Sequence, residues 1–127
     1  MKHHIALVAS AVALFSMTSS RLMAEDAPPS YKADPSVYRL VFEDQNFRVI
    51  DAVRKKGVHD KLHSHPLPSI VYNVTDCTTQ QYGADGKPQG TANLVKAGSA
   101  REAPITAGHS AENVGQNDCH QIFVERK

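Results

Sequence analysis

From Val37 to the C-terminus no apolar pattern of period 3.6 persists for more than about two turns, and this absence constrains the fold more than any other feature. In place of helical periodicity the chain offers short runs rich in Val, Ile, Tyr, Phe and Thr, each closed by turn residues. Strands are predicted at Tyr38–Phe42, Phe47–Arg54, Val58–His65, Ser69–Thr75, Thr78–Tyr82, Ala92–Val95, Arg101–Ile105, His109–Val114 and His120–Glu125. Between them lie turn signals such as Asp44-Gln45-Asn46, Lys56-Gly57, Ala84-Asp85-Gly86, Ala97-Gly98 and Gly115 to Asp118, where Gly, Asn and Asp tolerate positive φ. Nine short strands at this spacing make an all-β sandwich or barrel.

What precedes Val37 is of a different kind. Lys2, His3 and His4 form a basic start, Ile5 to Met17 is an apolar run of 13 residues, and Leu22-Met23-Ala24 ends in a small residue suited to cleavage. Such a run falls short of the roughly 20 residues a membrane-spanning helix needs. Residues 1–24 therefore read as a signal peptide, and a periplasmic or secreted protein is expected. Residues 25–36, with three prolines and little apolar content, read as a flexible leader, leaving 37–127 as the domain.

Charge narrows the partners. Fourteen basic residues less Lys2 and Arg21 leave 12 against 13 acidic ones, a formal net charge of −1 for the processed chain. Neither a nucleic-acid surface nor, after signal cleavage, a membrane is indicated as a partner. The one basic cluster, Arg54-Lys55-Lys56, reads as a solvated turn.

The chemistry concentrates in GVHDKLHSH, Gly57 to His65. Side chains of an extended strand alternate faces, so His63 and His65 share one face and can share one metal ion. Strict alternation would add His59 and Lys61 to that face and turn Val58, Asp60, Leu62 and Ser64 away. Two histidines alone are as compatible with a solvated pair as with a ligand pair. A second stretch, Gly98 to Asn113, shifts the balance, because it brings a third histidine, His109, to the head of another alternating segment with Ala111 and Asn113 on its face.

Together the two stretches resemble the cupin family. Its first motif runs Gly, five residues, His-x-His, and Gly57, His63 and His65 stand in register with it. Its second runs Gly, five residues, Pro-x-Gly, two residues, His, three residues, Asn, matched by Gly98, Pro104, His109 and Asn113. The resemblance spans roughly Asp44 to Lys127. It implies a double-stranded β-helix (jelly-roll) barrel with a metal site inside it. His63, His65 and His109 would hold one divalent ion, with Ser69, Lys61 and Asn113 close by in the pocket. Imidazole suits Fe, Mn, Ni, Cu and Zn alike, so the ligands leave the metal's identity open. Coordinated imidazoles must be neutral, so affinity is expected to fall below about pH 6.5.

Three positions depart from the motifs: Ser69 stands where the family has a metal-binding Glu, Asp76 where the first motif ends in Gly, and Thr106 where the second has the Gly of Pro-x-Gly. The first removes a ligand, and the others alter turns. The strand order that the resemblance implies also brings Cys77 and Cys119 together as a disulfide, the alternative being a thiol pair serving the site. Two functional readings stay open. One is a metal-dependent enzyme acting on a small anionic or thiol substrate with oxygenase-like chemistry. The other is a non-catalytic binding module with a degenerate metal site. A small-molecule ligand is the expected partner in both, and a homodimer is a second expectation.

Overall fold

The computed structural model describes residues 25–127; the segment 1–24, read above as a signal peptide, lies outside the described residues. One helical turn, α1 (Ser30–Ala33), precedes nine strands: β1 (Tyr38–Glu43), β2 (Phe47–Arg54), β3 (His63–His65), β4 (Ser69–Asn73), β5 (Cys77–Gly83), β6 (Pro88–Val95), β7 (Ala100–Ala103), β8 (Thr106–Asn113) and β9 (Cys119–Arg126). They form two antiparallel sheets, ordered β1-β2-β9-β4-β7 and β3-β8-β5-β6, which face each other as the two halves of the expected jelly roll.

Alternation decides what lies between the sheets. Ile50, Ala52 and Arg54 on β2, Ser69, Val71 and Asn73 on β4, and Cys119, Gln121, Phe123 and Glu125 on β9 are buried, while Ile70, Tyr72 and Val124 face outward. Val37, Tyr38, Ile50, Ala52, Val71 and Phe123 make one apolar cluster, with Tyr31, Leu40, Val58 and Ala103 packed on it. Among the described residues, 13 buried polar or charged side chains stand against nine buried apolar ones. An interior this polar is built around a site as much as around a core, because each buried polar group needs a partner.

Both motif glycines are required by backbone shape. Gly57 and Gly98 have φ of +77° and +78° with open space where a Cβ would stand, so conformational freedom, not room, selects glycine. The departures are absorbed locally. Asp76 accepts hydrogen bonds from the Ala97 backbone N–H and Lys96 Nζ, tying two turns together, and Thr106 opens β8 in the pair His65↔Thr106.

Two expectations need correction. The leader is not a loose tail from Pro28 on: Ser64 N–H donates to the Pro28 carbonyl, Lys61 N–H donates to Asp34 Oδ2, and Ser30 and Asp34 are buried. It covers the free edge of β3, which protects a strand that would otherwise present unpaired backbone groups. The strand expected at Val58–His65 shrinks to His63–His65, with a single bridge His59↔Glu112 before it. The cause is Asp60, whose Oδ1 takes the Ala111 backbone N–H at 2.7 Å, so a side chain occupies a ladder position and alternation is lost.

Cys77 and Cys119 form a disulfide at the ends of β5 and β9, 42 residues apart in sequence. Closing a loop of this length in the unfolded chain is worth about 2–4 kcal/mol. The Cys77→Ser, Cys119→Ser double variant should unfold at correspondingly lower urea, measured by circular dichroism beside the oxidised protein.

Candidate metal centre

Three histidines converge inside the barrel. His63 and His65 come from β3 and His109 from β8, with His63 paired opposite His109 across the ladder. One ligand nitrogen from each lies within 4.8 Å of the others. His63 and His65 are buried, and His65 stacks on Phe123 with ring centroids 5.1 Å apart and planes 6° from parallel, which fixes its rotamer.

Hydrogen bonds set the tautomer of two of the three rings. His63 Nδ1–H donates to the Lys61 carbonyl at 2.7 Å and His109 Nδ1–H to Gln81 Oε1 at 3.0 Å, so in both rings Nε2 carries the lone pair. His65 Nδ1 is buried without a hydrogen-bond partner, 3.9 Å from Glu125 Oε1. The Nε2 atoms of His63 and His65 are 3.2 Å apart, and His109 Nε2 is buried with no hydrogen-bond partner. Nitrogens gathered around one point fit a shared cation, and the Lys61 carbonyl and Gln81 are outer partners of the kind that orient metal-ligating histidines. The three residues could hold one metal ion.

Comparison with solved structures gives the same fold. A cupin domain from Bordetella pertussis Tohama I superposes with a TM-score of 0.63 at 13% identity, covering 82% of this chain and 99% of that one. A RmlC-like cupin family protein with a double-stranded β-helix fold from Methanocaldococcus jannaschii gives 0.55 at 12% identity, covering 71% and 78%. The chain has the cupin fold. A cupin-like protein from Thermotoga maritima, at 20% identity and a TM-score of 0.52, covers 69% of this chain and 65% of its own. No protein-family model and no curated protein matches the sequence.

Within this cupin barrel the other expected pocket residues are placed differently. Lys61 is exposed, and only its carbonyl serves the site, through His63. Asn113 is fully buried but clamps a turn, donating to the carbonyls of Arg54 and Asn117 and accepting from Gly115 N–H. Ser69 is buried with an unpartnered hydroxyl and lies directly opposite Glu125, not among the residues that line the cavity beside the histidines. A carboxylate is therefore near the centre after all, supplied by β9 and held by Arg48 Nη1 at 3.1 Å, on the Nδ1 side of His65. His59 faces away, bonded to Ser110 Oγ at 2.8 Å and stacked on Tyr82.

A further group went unread in the sequence. Arg54, taken above for part of a solvated turn, is buried with Asp60 and Tyr38. Asp60 Oδ2 accepts from Arg54 Nε at 2.9 Å and from the Tyr38 hydroxyl at 2.7 Å, while Arg54 Nη2 donates to that hydroxyl at 2.6 Å. The hydroxyl lies 3.3 Å from His63 Nε2, so the network abuts the centre. Burial, with the Asp60 carboxylate beside it, raises the Tyr38 pKa and keeps the phenol protonated. The helical spacing that would group such residues is absent, and only the tertiary fold brings positions 38, 54 and 60 together.

Beside His65 and His109 opens a cavity of about 310 Å³, its walls shared by both sheets. Burial lowers the pKa of His63, and burial followed by the neighbouring His63 and His65 lowers that of His109 to about 3. Both stay neutral where free histidine charges. A base with a depressed folded pKa contributes stability that is complete above the unfolded value of about 6.5 and is lost as pH falls toward the folded value. Urea midpoints of the metal-free protein should drop between pH 6.5 and 4.5, above the range where carboxylates titrate. The His109→Gln variant should show a shallower drop.

Proposed function

We propose that the protein is an exported metal-binding cupin that holds one divalent ion through His63, His65 and His109. It takes a small anionic or thiol ligand in the adjoining cavity and carries out oxygenase-like chemistry on it. The observation that carries this is the convergence of the three rings on one point, with Nδ1 of His63 and of His109 each donating to an acceptor outside the cluster. When bound, the ion supplies a Lewis-acid position and, with Fe, Mn or Cu, a redox-active one. The chain's own residues do the rest. Gln81 and the Lys61 carbonyl orient the rings of His109 and His63, Phe123 packs on one face of His65, and the Tyr38–Asp60–Arg54 network holds a hydroxyl beside His63.

A second reading, a non-catalytic binding module, draws support from the cavity lining, which contains no carboxylate to act as a general base. Oxygen uptake separates the two. Protein loaded in turn with Fe, Mn, Ni, Cu and Zn is offered a panel of small thiols and acids. Uptake with one substrate supports the enzyme, and silence across the panel with metal retained supports the module. Export draws support from the Cys77–Cys119 disulfide, a bond of oxidising compartments. Among the described residues no helix is long and apolar enough to cross a membrane. A homodimer is proposed on the exposed apolar side chains Ile70, Tyr72 and Val124 of the five-stranded sheet, and light scattering tests it.

A further inference from the structure

The cavity beside the three histidines is unbalanced in charge. Two arginines, Arg54 and Arg101, reach it and no carboxylate does. Arg54 is already neutralised by Asp60. Arg101 is not: among the described residues it makes no ion pair, and its guanidinium donates only one long bond, 3.5 Å, to the Glu102 carbonyl. Strand register fixes where it points. Arg101 on β7 pairs with the fully buried Val71, whereas Glu102 and Ala100 pair with the exposed Ile70 and Tyr72. Residues opposed across a ladder share a face, so Arg101 lies on the cavity side of β7, its side chain still exposed at the cavity mouth, while Glu102 turns away.

We propose that Arg101 is the anchor for a carboxylate in this cavity. The ligand class is then a small monocarboxylate whose short chain carries a second donor, a thiol or hydroxyl, toward the three-histidine centre. A guanidinium fork matches a carboxylate with two parallel hydrogen bonds. Asn93 and Thr79, a cross-strand pair on the facing sheet, line the same cavity with neutral polar groups, and Val95, Ala103 and Phe123 supply apolar wall for the chain of the ligand. The volume of about 310 Å³ lies at the small end of ligand pockets, which suits a small ligand. The inference rests on the metal reading for the second donor alone. The Arg101 contact stands on charge and register.

The test keeps those two parts separate. Mercaptoacetate and 2-mercaptoethanol are titrated calorimetrically into metal-loaded wild type, Arg101→Gln and Arg101→Lys, with metal equivalents measured on each. Propionate and propionamide are titrated into the same proteins freed of metal, followed by NMR. Wild type should prefer the carboxylate of each pair by about tenfold, in line with a charge-assisted bond in a partly open site. Arg101→Gln should bring the ratio to about one without lowering metal content, and Arg101→Lys should retain part of it. A carboxylate preference that survives Arg101→Gln, or that wild type lacks in both states, overturns the assignment. Loss of metal from every protein sinks the metal reading, and the metal-free titration then decides Arg101 by itself.

Discussion

Asp60→Ala should lower the thermal midpoint by about 12–40 °C. The carboxylate takes hydrogen bonds from Arg54 Nε, the Tyr38 hydroxyl and the Ala111 backbone N–H. Its removal leaves the guanidinium of Arg54, 3% exposed, without a counter-ion, and two further donors without an acceptor. Breaking a buried pair in this way costs about 3–5 kcal/mol, far above the cost of an exposed one, because a charge stays buried uncompensated. For a domain of about 100 residues each kcal/mol moves the midpoint by about 4–8 °C. Asp60→Asn, which keeps the shape and loses the charge, should fall between. The double variant Arg54→Met, Asp60→Leu should recover much of the loss, since it removes the orphaned cation. Thermal unfolding of the oxidised, metal-free proteins by circular dichroism is the measurement. An Asp60→Ala midpoint within a few degrees of wild type would show that the pair is solvated and the barrel looser than described.

The position of Asp60 also shows where sequence pattern stops being informative. Nine strands were legible because each is a short β-rich run between turn residues, and the three histidines because their spacings place two on one strand and a third at the head of another. Alternation then assigned Asp60 to the outer face and Lys61 to the inner one, and both are reversed. Period-2 reasoning assumes that every ladder position is backbone, and at Ala111 the ladder is completed by the Asp60 side chain. The turn at Ser30–Ala33 escaped for another reason: four residues carry no periodicity, and the bonds that tie α1 to the barrel run from Lys61 and Ser64 to its flanking residues Asp34 and Pro28. Glu125 was legible as a strand residue but not as a neighbour of the site. Only the register Ser69↔Glu125 puts it beside the position where the motif lacks its carboxylate.

The same geometry sets the largest expected effect, on metal binding. Protein given a divalent ion and desalted should carry close to one equivalent, and His63→Ala, His65→Ala and His109→Ala should each lose most of it. Gln81→Ala removes only the acceptor that orients His109, a change of the kind that costs about 10–100-fold in affinity. Each His→Ala change removes a ligand outright and should cost more than that. The order is the informative part, because a purely structural histidine cluster predicts no ranking of metal content among these four variants. Acid should matter less than the free imidazole value implies. Burial already holds His63 and His109 neutral, with His109 lowered to about 3, so protons do not compete at these two nitrogens near pH 6. Affinity measured between pH 7 and 5.5 should therefore fall less steeply than the decline below about pH 6.5 that three unperturbed histidines give. Retention of a full equivalent by His109→Ala would place the ion elsewhere and remove the three-histidine centre from the account. Wild type that retains none of Fe, Mn, Ni, Cu or Zn would mark the cluster as a neutral, hydrogen-bonded remnant inside a binding barrel.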